Sequence, residues 1–268
     1  MKNVKLIAEI GWNHMGSISL AEKMIKAAKK SGADFAKFQT WSVDNLKPGP
    51  WDKDGRRQIY EKAELSKEDY SKIQKICKKN KIKFLTSLFN HKDYELIKHL
   101  KSDTIKIPSP ENRNVNLLKF VSKKFKNILL STGAAKINEI KKSVKYLNKN
   151  HVTVMHCVSS YPCNDENVNL SRISKLKGIG NDLGLSDHSI DILSCTLSLS
   201  LGISLIEKHF TIDNKLPGRD NKFAILPSQF LKLKKNVERY KIMMKNNNET
   251  FIAQEKEIRK FYTGRWSK

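Results

Sequence analysis

Two histidines stand where a metal ion could be bound. His188 and His209 each lie at the end of a short β-rich run, and a neutral imidazole nitrogen is a common ligand for transition metals. Two such nitrogens suit manganese, zinc or iron better than magnesium. The alternative is a pair of histidines that are hydrogen-bonded within the core. Because the two runs would be neighbours in a closed sheet, the pattern favours one shared metal ion.

Two lysines interrupt apolar runs in the same way. Lys37 and Lys106 lie within or just after such runs, where an unpaired ammonium group would lose its hydration. An anion beside each lysine would offset this cost, so the pair predicts a ligand with two negative charges. The alternative is a salt bridge within the chain, for which Glu9 and Glu111 are the candidate partners.

Hydroxyl groups follow other apolar runs. Ser109, Ser131 and Ser186 can donate hydrogen bonds to an anion. The string Ser131-Thr132-Gly133 closes a predicted strand ahead of a helix, where backbone amides can hold a phosphate. Taken alone, each serine is more typical of a turn or a helix cap than of a binding site. His156 ends another run, and both a part in the site and simple packing remain open for it.

The elements that position these residues alternate along the chain. The predicted strands are 4–10, 34–39, 83–88, 104–107, 128–131, 152–157, 181–185 and 203–210. The helical patterns are 19–30, 67–79, 92–100, 115–124, 137–148, 170–176, 190–201 and 227–245. Such alternation indicates an α/β fold with parallel strands, and eight units predict a (β/α)8 TIM barrel whose active site lies at the carboxyl ends of the strands. An open doubly wound sheet is disfavoured, because no G-x-G-x-x-G string follows the first strand.

We expect a catalytic barrel domain over residues 1–245 and a short C-terminal tail over 246–268. The segment 41–64 is longer than an ordinary βα loop, and a long loop at this end of a barrel usually covers substrate. The tail is polar with scattered aromatic side chains. It can pack on the barrel or on a second copy, so a homodimer stays open.

Composition excludes several classes of protein. No run approaches the roughly 20 apolar residues that cross a bilayer, and the first residues lack the apolar stretch of a signal peptide. We therefore expect a cytoplasmic protein without a membrane partner. The net charge of +24 comes from lysines spread along the whole chain without one basic block, which argues against nucleic acid as a partner. The four cysteines form no CxxC pair and are expected to be reduced.

Taken in order, the motifs of this chain resemble the sialic acid synthase family from about Lys5 to about Leu233. The motifs are Ala8-Glu9-Ile10-Gly11-x-Asn13-His14-x-Gly16, Lys37-x-Gln39-Thr40, Lys106-Ile107-x-Ser109-x-Glu111, Leu130-Ser131-Thr132-Gly133, Tyr161-Pro162, Gly184-Leu185-Ser186-Asp187-His188, Glu207-x-His209-Phe210 and Pro217-Gly218-x-Asp220. Members of this family condense phosphoenolpyruvate with an aldose, often an N-acetylated amino sugar such as N-acetylmannosamine. The resemblance thus implies a transferase of carbohydrate biosynthesis that releases phosphate and forms a 2-keto-3-deoxy sugar acid.

The resemblance also implies a role for each matching residue. His188 and His209 would bind a divalent metal, with Mn²⁺ favoured and Mg²⁺, Co²⁺ and Zn²⁺ as alternatives. The residues assigned to phosphoenolpyruvate are Lys37, Lys106, Ser109, Ser131 and Ser186. Those assigned to the sugar or to a metal-bound water are Glu9, Gln39, Tyr161 and Asp220. Glu111 is the implied acid or base, and with Glu9 and Asp220 it makes up the predicted catalytic set.

The chain also departs from the family. Full-length bacterial members carry a C-terminal antifreeze-like domain that supplies an arginine to the N-acetyl group of the sugar, and we expect this chain to have the barrel without it. Ser159, a predicted substrate ligand, stands where an asparagine is common, and Pro110 stands where a glycine is usual. Arg219-Asp220-Asn221 replaces Pro-Asp-His. An altered sugar acceptor is the expected consequence.

Two other functions remain open on the same barrel. An aldolase would use Lys37 or Lys106 to form a Schiff base with its substrate. A non-catalytic relative would bind an anion without turning it over. The presence of both lysines and both histidines argues against the second.

Overall fold

The computed structural model describes residues 3–245 and 251–267. In this part of the chain, eight parallel strands form a closed barrel in chain order. They are β1 (Lys5–Gly11), β2 (Phe35–Thr40), β3 (Lys83–Leu88), β4 (Thr104–Ile107), β5 (Asn127–Ser131), β6 (His151–Cys157), β7 (Asp182–Asp187) and β8 (Leu205–His209). The barrel closes where β8 pairs with β1, and Glu9 lies opposite His209 in that pair. The predicted TIM barrel is confirmed, and each strand begins and ends within about two residues of its predicted bounds.

Most of the helices in the described residues pack around this barrel through apolar stripes. The helices are α1 (Ile18–Lys30), α2 (Arg56–Ala63), α3 (Lys67–Lys79), α4 (Val115–Lys124), α5 (Ile137–Lys145), α6 (Asp165–Val168), α7 (Arg172–Leu176), α8 (Leu193–Ser198), α9 (Pro227–Met243) and α10 (Glu255–Phe261). The helix α3 shows why the local sequence folds this way. Ser66 and Asp69 form a reciprocal capping box at its start, and two lysines complement the helix dipole in its last turn.

Two segments differ from the prediction. Residues 92–100, predicted as a helix, form the 3₁₀ turns Lys92–Leu96 and Lys98–Leu100. A tertiary contact accounts for part of this difference, because Asp93 is buried and accepts a hydrogen bond of 2.7 Å from Asn45 of the long loop. That loop, 41–64, is itself partly ordered and contains α2.

The barrel interior is layered along the strands. Its amino-terminal part is apolar and comprises Ile7, Leu85, Leu129, Met155 and Leu205, with Phe35 packed against them. Side chains on one face of a strand recur every two residues. Two residues further along the same strands stand Glu9, Ser87, Ser131, Cys157, Glu207 and Lys37. The alternation of the strands therefore places a polar layer directly above the apolar one, toward the carboxyl ends.

The cysteines and the tail complete the fold. Cys77, Cys157, Cys163 and Cys195 are free and buried, in agreement with the expected reduced thiols. None of the helices in residues 3–245 and 251–267 has the length and apolarity that crossing a bilayer requires. The first residues of the predicted tail, 246–250, lie outside the described residues. The described part, 251–267, carries α10 and exposes almost all of its side chains, so it does not pack on the barrel.

Candidate active site

Four charged side chains meet inside the barrel. Lys37 Nζ lies 2.5 Å from Glu9 Oε2 and 3.8 Å from Glu207 Oε2. Lys106 Nζ donates to Glu207 Oε1 and, at 3.2 Å, to Ser186 Oγ. All four charged residues are at most 5% exposed. The lysines are therefore paired within the chain, which was the alternative left open by the sequence, but the partner of Lys106 is Glu207 and not Glu9 or Glu111.

Glu207 is the main site residue that the sequence interpretation missed, although it stood in a quoted motif. Burial alone would raise its pKa, but Lys106 and Lys37 outweigh that effect and lower it to about 2. Glu9 shows the opposite balance, because burial raises its pKa more than Lys37 lowers it. The alternation of β8 carried the available signal, since Glu207 lies two residues before His209 on the same face.

Hydroxyl groups surround the charged cluster. Ser131 Oγ and Ser87 Oγ are buried and have no hydrogen-bond partner in the part of the chain that the structure describes, so both can still donate to a ligand. Ser186 Oγ donates to Glu207 at 2.9 Å, and Ser109 Oγ accepts from the amide of Gly133 at 3.0 Å. Ser87 was missed because the end of β3 was not considered, although it lies two residues after an inward-facing leucine.

The loop after β5 differs from the expectation of free amides. The amide of Thr132 donates to the carbonyl of Met155 at 3.1 Å, and that of Gly133 donates to Ser109. The helix α5 begins only at Ile137, so no helix terminus points from this turn into the barrel. A phosphate near Ser131 would thus depend on side-chain donors and not on these two amides.

His188 and His209 lie side by side at the ends of β7 and β8, with ring centroids 5.4 Å apart. His188 Nδ1 lies 2.6 Å from the carbonyl of Val158 and donates to it, so Nε2 is the nitrogen that remains for a metal. Burial alone would lower the pKa of His188, but Cys157 and the Val158 carbonyl outweigh burial and raise it. His209 Nδ1 is buried and lies 3.5 Å from Asp220 Oδ2, and it has no hydrogen-bond partner within residues 3–245 and 251–267. Burial and the neighbouring His188 lower the pKa of His209 well below its ordinary value, which favours the neutral form that binds metals.

The donor set fits a metal that is only partly coordinated by protein. Among residues 3–245 and 251–267, no group of three or more His, Cys, Asp or Glu side chains is arranged to hold an ion. Two imidazoles would therefore leave most coordination positions to water or to substrate oxygens. Such open positions are typical of catalytic metal sites, whereas structural sites are closed by protein ligands.

Three further polar residues of the predicted site, Asp220, Gln39 and Glu111, line the same cavity. Asp220 accepts a hydrogen bond from Trp12 Nε1, and burial raises the pKa of Asp220 to about 6. Gln39 Nε2 donates to Glu9 Oε1 at 2.7 Å. Glu111 lies further out, where its carboxylate accepts from Asn114 at 2.7 Å. The assignment of Glu111 as acid or base stays a prediction.

Ser159, which was predicted to bind substrate, and His156, whose role the sequence left open, both lie away from the cavity lining. Ser159 is exposed, and its hydroxyl packs beside Gly133 and does not reach the cavity wall. Its role as a substrate ligand therefore gains no support from its position. His156 is buried on the outer side of β6, where Nε2 lies 2.7 Å from the carbonyl of Val168. Packing is thus the function of His156 that its contacts indicate.

Cys157 is another inward-facing residue that the sequence interpretation left out. Its sulfur lies 3.9 Å from His188 Nδ1 and accepts a hydrogen bond of 3.3 Å from Ser109 Oγ. Burial would raise the pKa of this thiol, but His188 and Lys106 lower it to about 7. Its place at the end of β6, two residues after Met155, was the signal that could have found it.

These side chains share one cavity of about 1140 Å³ at the carboxyl ends of the strands. The predicted site residues on its wall are Glu9, Lys37, Gln39, Lys106, Ser109, Glu111, Ser131, Tyr161, Ser186, His188, His209 and Asp220. The volume lies above the roughly 300–1,000 Å³ of common ligand pockets. The cavity is therefore large enough for two small substrates together.

Comparison with known proteins agrees with this arrangement. The model of the NeuB family matches residues 24–249. The chain is 35% identical over 246 residues to N,N'-diacetyllegionaminic acid synthase of Campylobacter jejuni, which covers 85% of this chain and 74% of the relative. Pseudaminic acid synthase of the same species is 35% identical over 239 residues, covering 84% and 70%.

Solved structures point the same way. The crystal structure of N-acetylneuraminic acid synthetase from Leptospira borgpetersenii in complex with citrate superposes with a TM-score of 0.88 at 29% identity. The alignment covers 99% of this chain and 93% of that one. Since the family model spans most of the chain and the barrel superposes along nearly its whole length, this protein belongs to the NeuB family.

Proposed function

We propose that the protein condenses phosphoenolpyruvate with an aldose, an N-acylated amino sugar of the N-acetylmannosamine kind, to give a sialic-acid-type 2-keto-3-deoxy acid and phosphate. The observation that carries this proposal is the meeting of Lys37, Lys106 and a ring of serine hydroxyls beside two histidines in one cavity. The names of the relatives, which are sialic acid, legionaminic acid and pseudaminic acid synthases, support it.

Phosphoenolpyruvate would bind in the inner, charged part of the cavity. Its phosphate and carboxylate need cations and donors, and Lys37 and Lys106 supply the cations. In the free chain Glu9 and Glu207 keep both ammonium groups in place, so the site is oriented before substrate arrives. The unpartnered hydroxyls of Ser87 and Ser131 would then gain their first acceptors.

The aldose would lie above, against His188, His209 and Tyr161. A divalent ion held by the two imidazoles, for which we propose Mn²⁺ with Mg²⁺, Co²⁺ and Zn²⁺ as alternatives, would act as a Lewis acid toward the aldehyde. The Tyr161 ring packs at 4.1 Å from the His188 ring and would hold that imidazole in its orientation. Gln39 and Asp220, which line the cavity beside them, would bind sugar hydroxyls.

The reaction balances without a redox cofactor. Carbon three of phosphoenolpyruvate attacks the aldehyde carbon, water adds at carbon two, and the resulting tetrahedral centre expels inorganic phosphate as the ketone forms. One acid must protonate the new hydroxyl oxygen, and one base must take a proton from the water. Glu111 is the proposed acid or base. Lys37 and Lys106 would stabilise the phosphate and the carboxylate throughout, which is an electrostatic contribution.

The test is a panel assay. The protein is incubated with phosphoenolpyruvate, Mn²⁺ and a series of aldoses, and released phosphate is measured. We expect release that depends on one aldose and on phosphoenolpyruvate, together with a new 2-keto acid. Absence of release with every aldose and every metal of the series would contradict the proposal. We further propose a cytoplasmic location, because phosphoenolpyruvate is made there.

A Schiff-base aldolase is the second candidate, and the ion pairs disfavour it. A Schiff base requires an amine that is free to attack a carbonyl carbon, whereas Glu9 and Glu207 engage the two lysine Nζ atoms in buried ion pairs. Borohydride treatment in the presence of pyruvate separates the two. We expect no covalent adduct on either lysine.

A further inference from the structure

The outer part of the cavity carries a cluster of aromatic side chains among its polar ones. Trp12 and Tyr60 stack with ring centroids 5.0 Å apart and an interplanar angle of 19°. Trp41 meets both rings edge-on, each at 6.1 Å. All three side chains line the cavity, and we call them the aromatic wall. The phosphate and carboxylate of phosphoenolpyruvate do not bind favourably to aromatic faces. The wall therefore indicates an apolar group on the second substrate.

Contacts with the rest of the barrel hold the wall in place before any ligand binds. Trp12 is 9% exposed and donates its indole N–H to Asp220, which fixes the ring. Tyr60 lies on α2, whose backbone sits directly on the loop after β1. A Cβ atom added at Gly16 would lie only 2.3 Å from the carbonyl oxygen of Lys62. This close approach seats α2 against the barrel mouth.

Trp41 also carries a polar atom that lacks a partner. Its Nε1 is buried and has no hydrogen-bond acceptor among the described residues, whereas the indole N–H of Trp12 is bonded. An indole N–H is a donor only and seeks an acceptor when it is removed from water. The combination of aromatic faces and one free donor suits a group that has a methyl beside a carbonyl oxygen.

We infer that Trp41 and Tyr60 recognise the acyl group of the aldose, with its methyl against their rings and its carbonyl oxygen accepting from Trp41 Nε1. Trp12 acts as a positioning residue, since it supports Tyr60 and is itself held by Asp220. This inference rests on the proposed function and deepens it, because it names the residues that select the acceptor. Phosphoenolpyruvate binding is independent of the wall.

The closing experiment compares two acceptors that differ in the acyl group, N-acetylmannosamine and mannose. Phosphate release gives kcat and KM for each acceptor in the wild type and in Trp41→Ala, Trp41→Phe and Tyr60→Ala. We expect both alanine variants to lower kcat/KM for the acylated sugar by roughly tenfold or more. The ratio between acceptors should fall accordingly, while the KM for phosphoenolpyruvate stays unchanged. Trp41→Phe keeps a ring without the N–H and should lose less.

The matched control is Trp266→Ala, which removes an aromatic side chain that is 87% exposed in the tail and should alter neither acceptor. Equal losses on both acceptors, or losses confined to the KM for phosphoenolpyruvate, would overturn the inference. If the wild type turns over no aldose, the proposed function is wrong, but the inference about the aromatic wall can still be tested by measuring the binding of the two sugars. Tryptophan fluorescence should then respond to N-acetylmannosamine more strongly than to mannose, and this preference should vanish in Trp41→Ala. Absence of a preference in the wild type would overturn it.

Discussion

Lys106 and Glu207 form a buried ion pair across the barrel interior, from strands β4 and β8 that stand on opposite sides of the cylinder. Their positions in the chain are 101 residues apart. Ser186 contacts both partners, and Lys37 approaches the second carboxylate oxygen of Glu207. The pair thus joins the charged cluster into one network.

Removing one partner of this pair should cost more stability than removing both. Glu207→Gln leaves the Lys106 ammonium without its buried carboxylate, and Lys106→Met leaves Glu207 without its closest cation. We expect each single change to lower the free energy of unfolding by about 3–5 kcal/mol. The double variant should be less destabilised than either single variant. Urea denaturation measures this cycle, and simple additivity would show that the two side chains do not interact.

Removing His209 should remove the metal. In His209→Ala only one imidazole remains at the site, so we expect bound Mn²⁺ after dialysis to fall to background and turnover to be lost. Metal content is measured by elemental analysis, and folding by circular dichroism. His151→Ala is the control, since this histidine is exposed at the start of β6, where it contacts Asp182. Unchanged metal content in His209→Ala would refute the assignment.

Ser131→Ala should separate binding from stability. The hydroxyl is buried and unpartnered, so its loss should leave stability unchanged or raise it by about 1 kcal/mol. The same change should raise the KM for phosphoenolpyruvate by roughly tenfold, as expected for a lost hydrogen bond to a charged group. Ser109→Ala is the comparison, because it breaks contacts to Gly133 and Cys157 and should destabilise the fold. A normal KM in Ser131→Ala would place the phosphate elsewhere.

The seating of α2 on the barrel mouth can be tested at two glycines. Gly16 and Gly178 share a φ of +78°, so alanine strains the backbone equally at both. At Gly16 the new methyl would collide with the carbonyl oxygen of Lys62, whereas a Cβ atom added at Gly178 would have no described atom within 4 Å apart from its chain neighbours. We expect Gly16→Ala to lower Tm more than Gly178→Ala does, and to make proteolysis of residues 41–64 faster. Identical behaviour of the two variants would show that the contact with α2 is dispensable.

Stability should decrease in mild acid because of His14. Burial lowers the pKa of His14 to about 4 from its ordinary value of 6.5, and its Nδ1 accepts from the amide of Gly16 at 3.0 Å. Between these two values the unfolded chain binds the proton and the folded chain does not. The free energy of unfolding should therefore fall as pH decreases below 6.5, by about 2 kcal/mol at pH 5.

His14→Gln provides the matched variant for this pH dependence, since the glutamine side chain does not titrate. Urea denaturation of both proteins at pH 7 and pH 5 gives the change in the free energy of unfolding of each protein over this interval. The variant should lose less stability over this interval than the wild type. Parallel losses in the two proteins would assign the acid sensitivity to other groups.

The sequence by itself determined the strands and much of the site. Alternation of apolar and polar residues depends only on local geometry, so β3, β4 and α3 could be predicted to the residue. Parallel strands in a barrel end at one rim, and this rule brought His188, His209 and both lysines together without coordinates. The prediction of a helix over 92–100 was wrong, and part of the reason is the contact of Asp93 with the distant Asn45, which no local pattern shows.

Only the tertiary structure decided which groups meet across the barrel. No local pattern pairs Lys106 with Glu207, because that contact depends on the closure of eight strands and on the register between them. The aromatic wall likewise joins the ends of β1 and β2 with a helix inside a long loop. Residue spacing reports the face on which a side chain stands, whereas closure and packing determine what stands opposite.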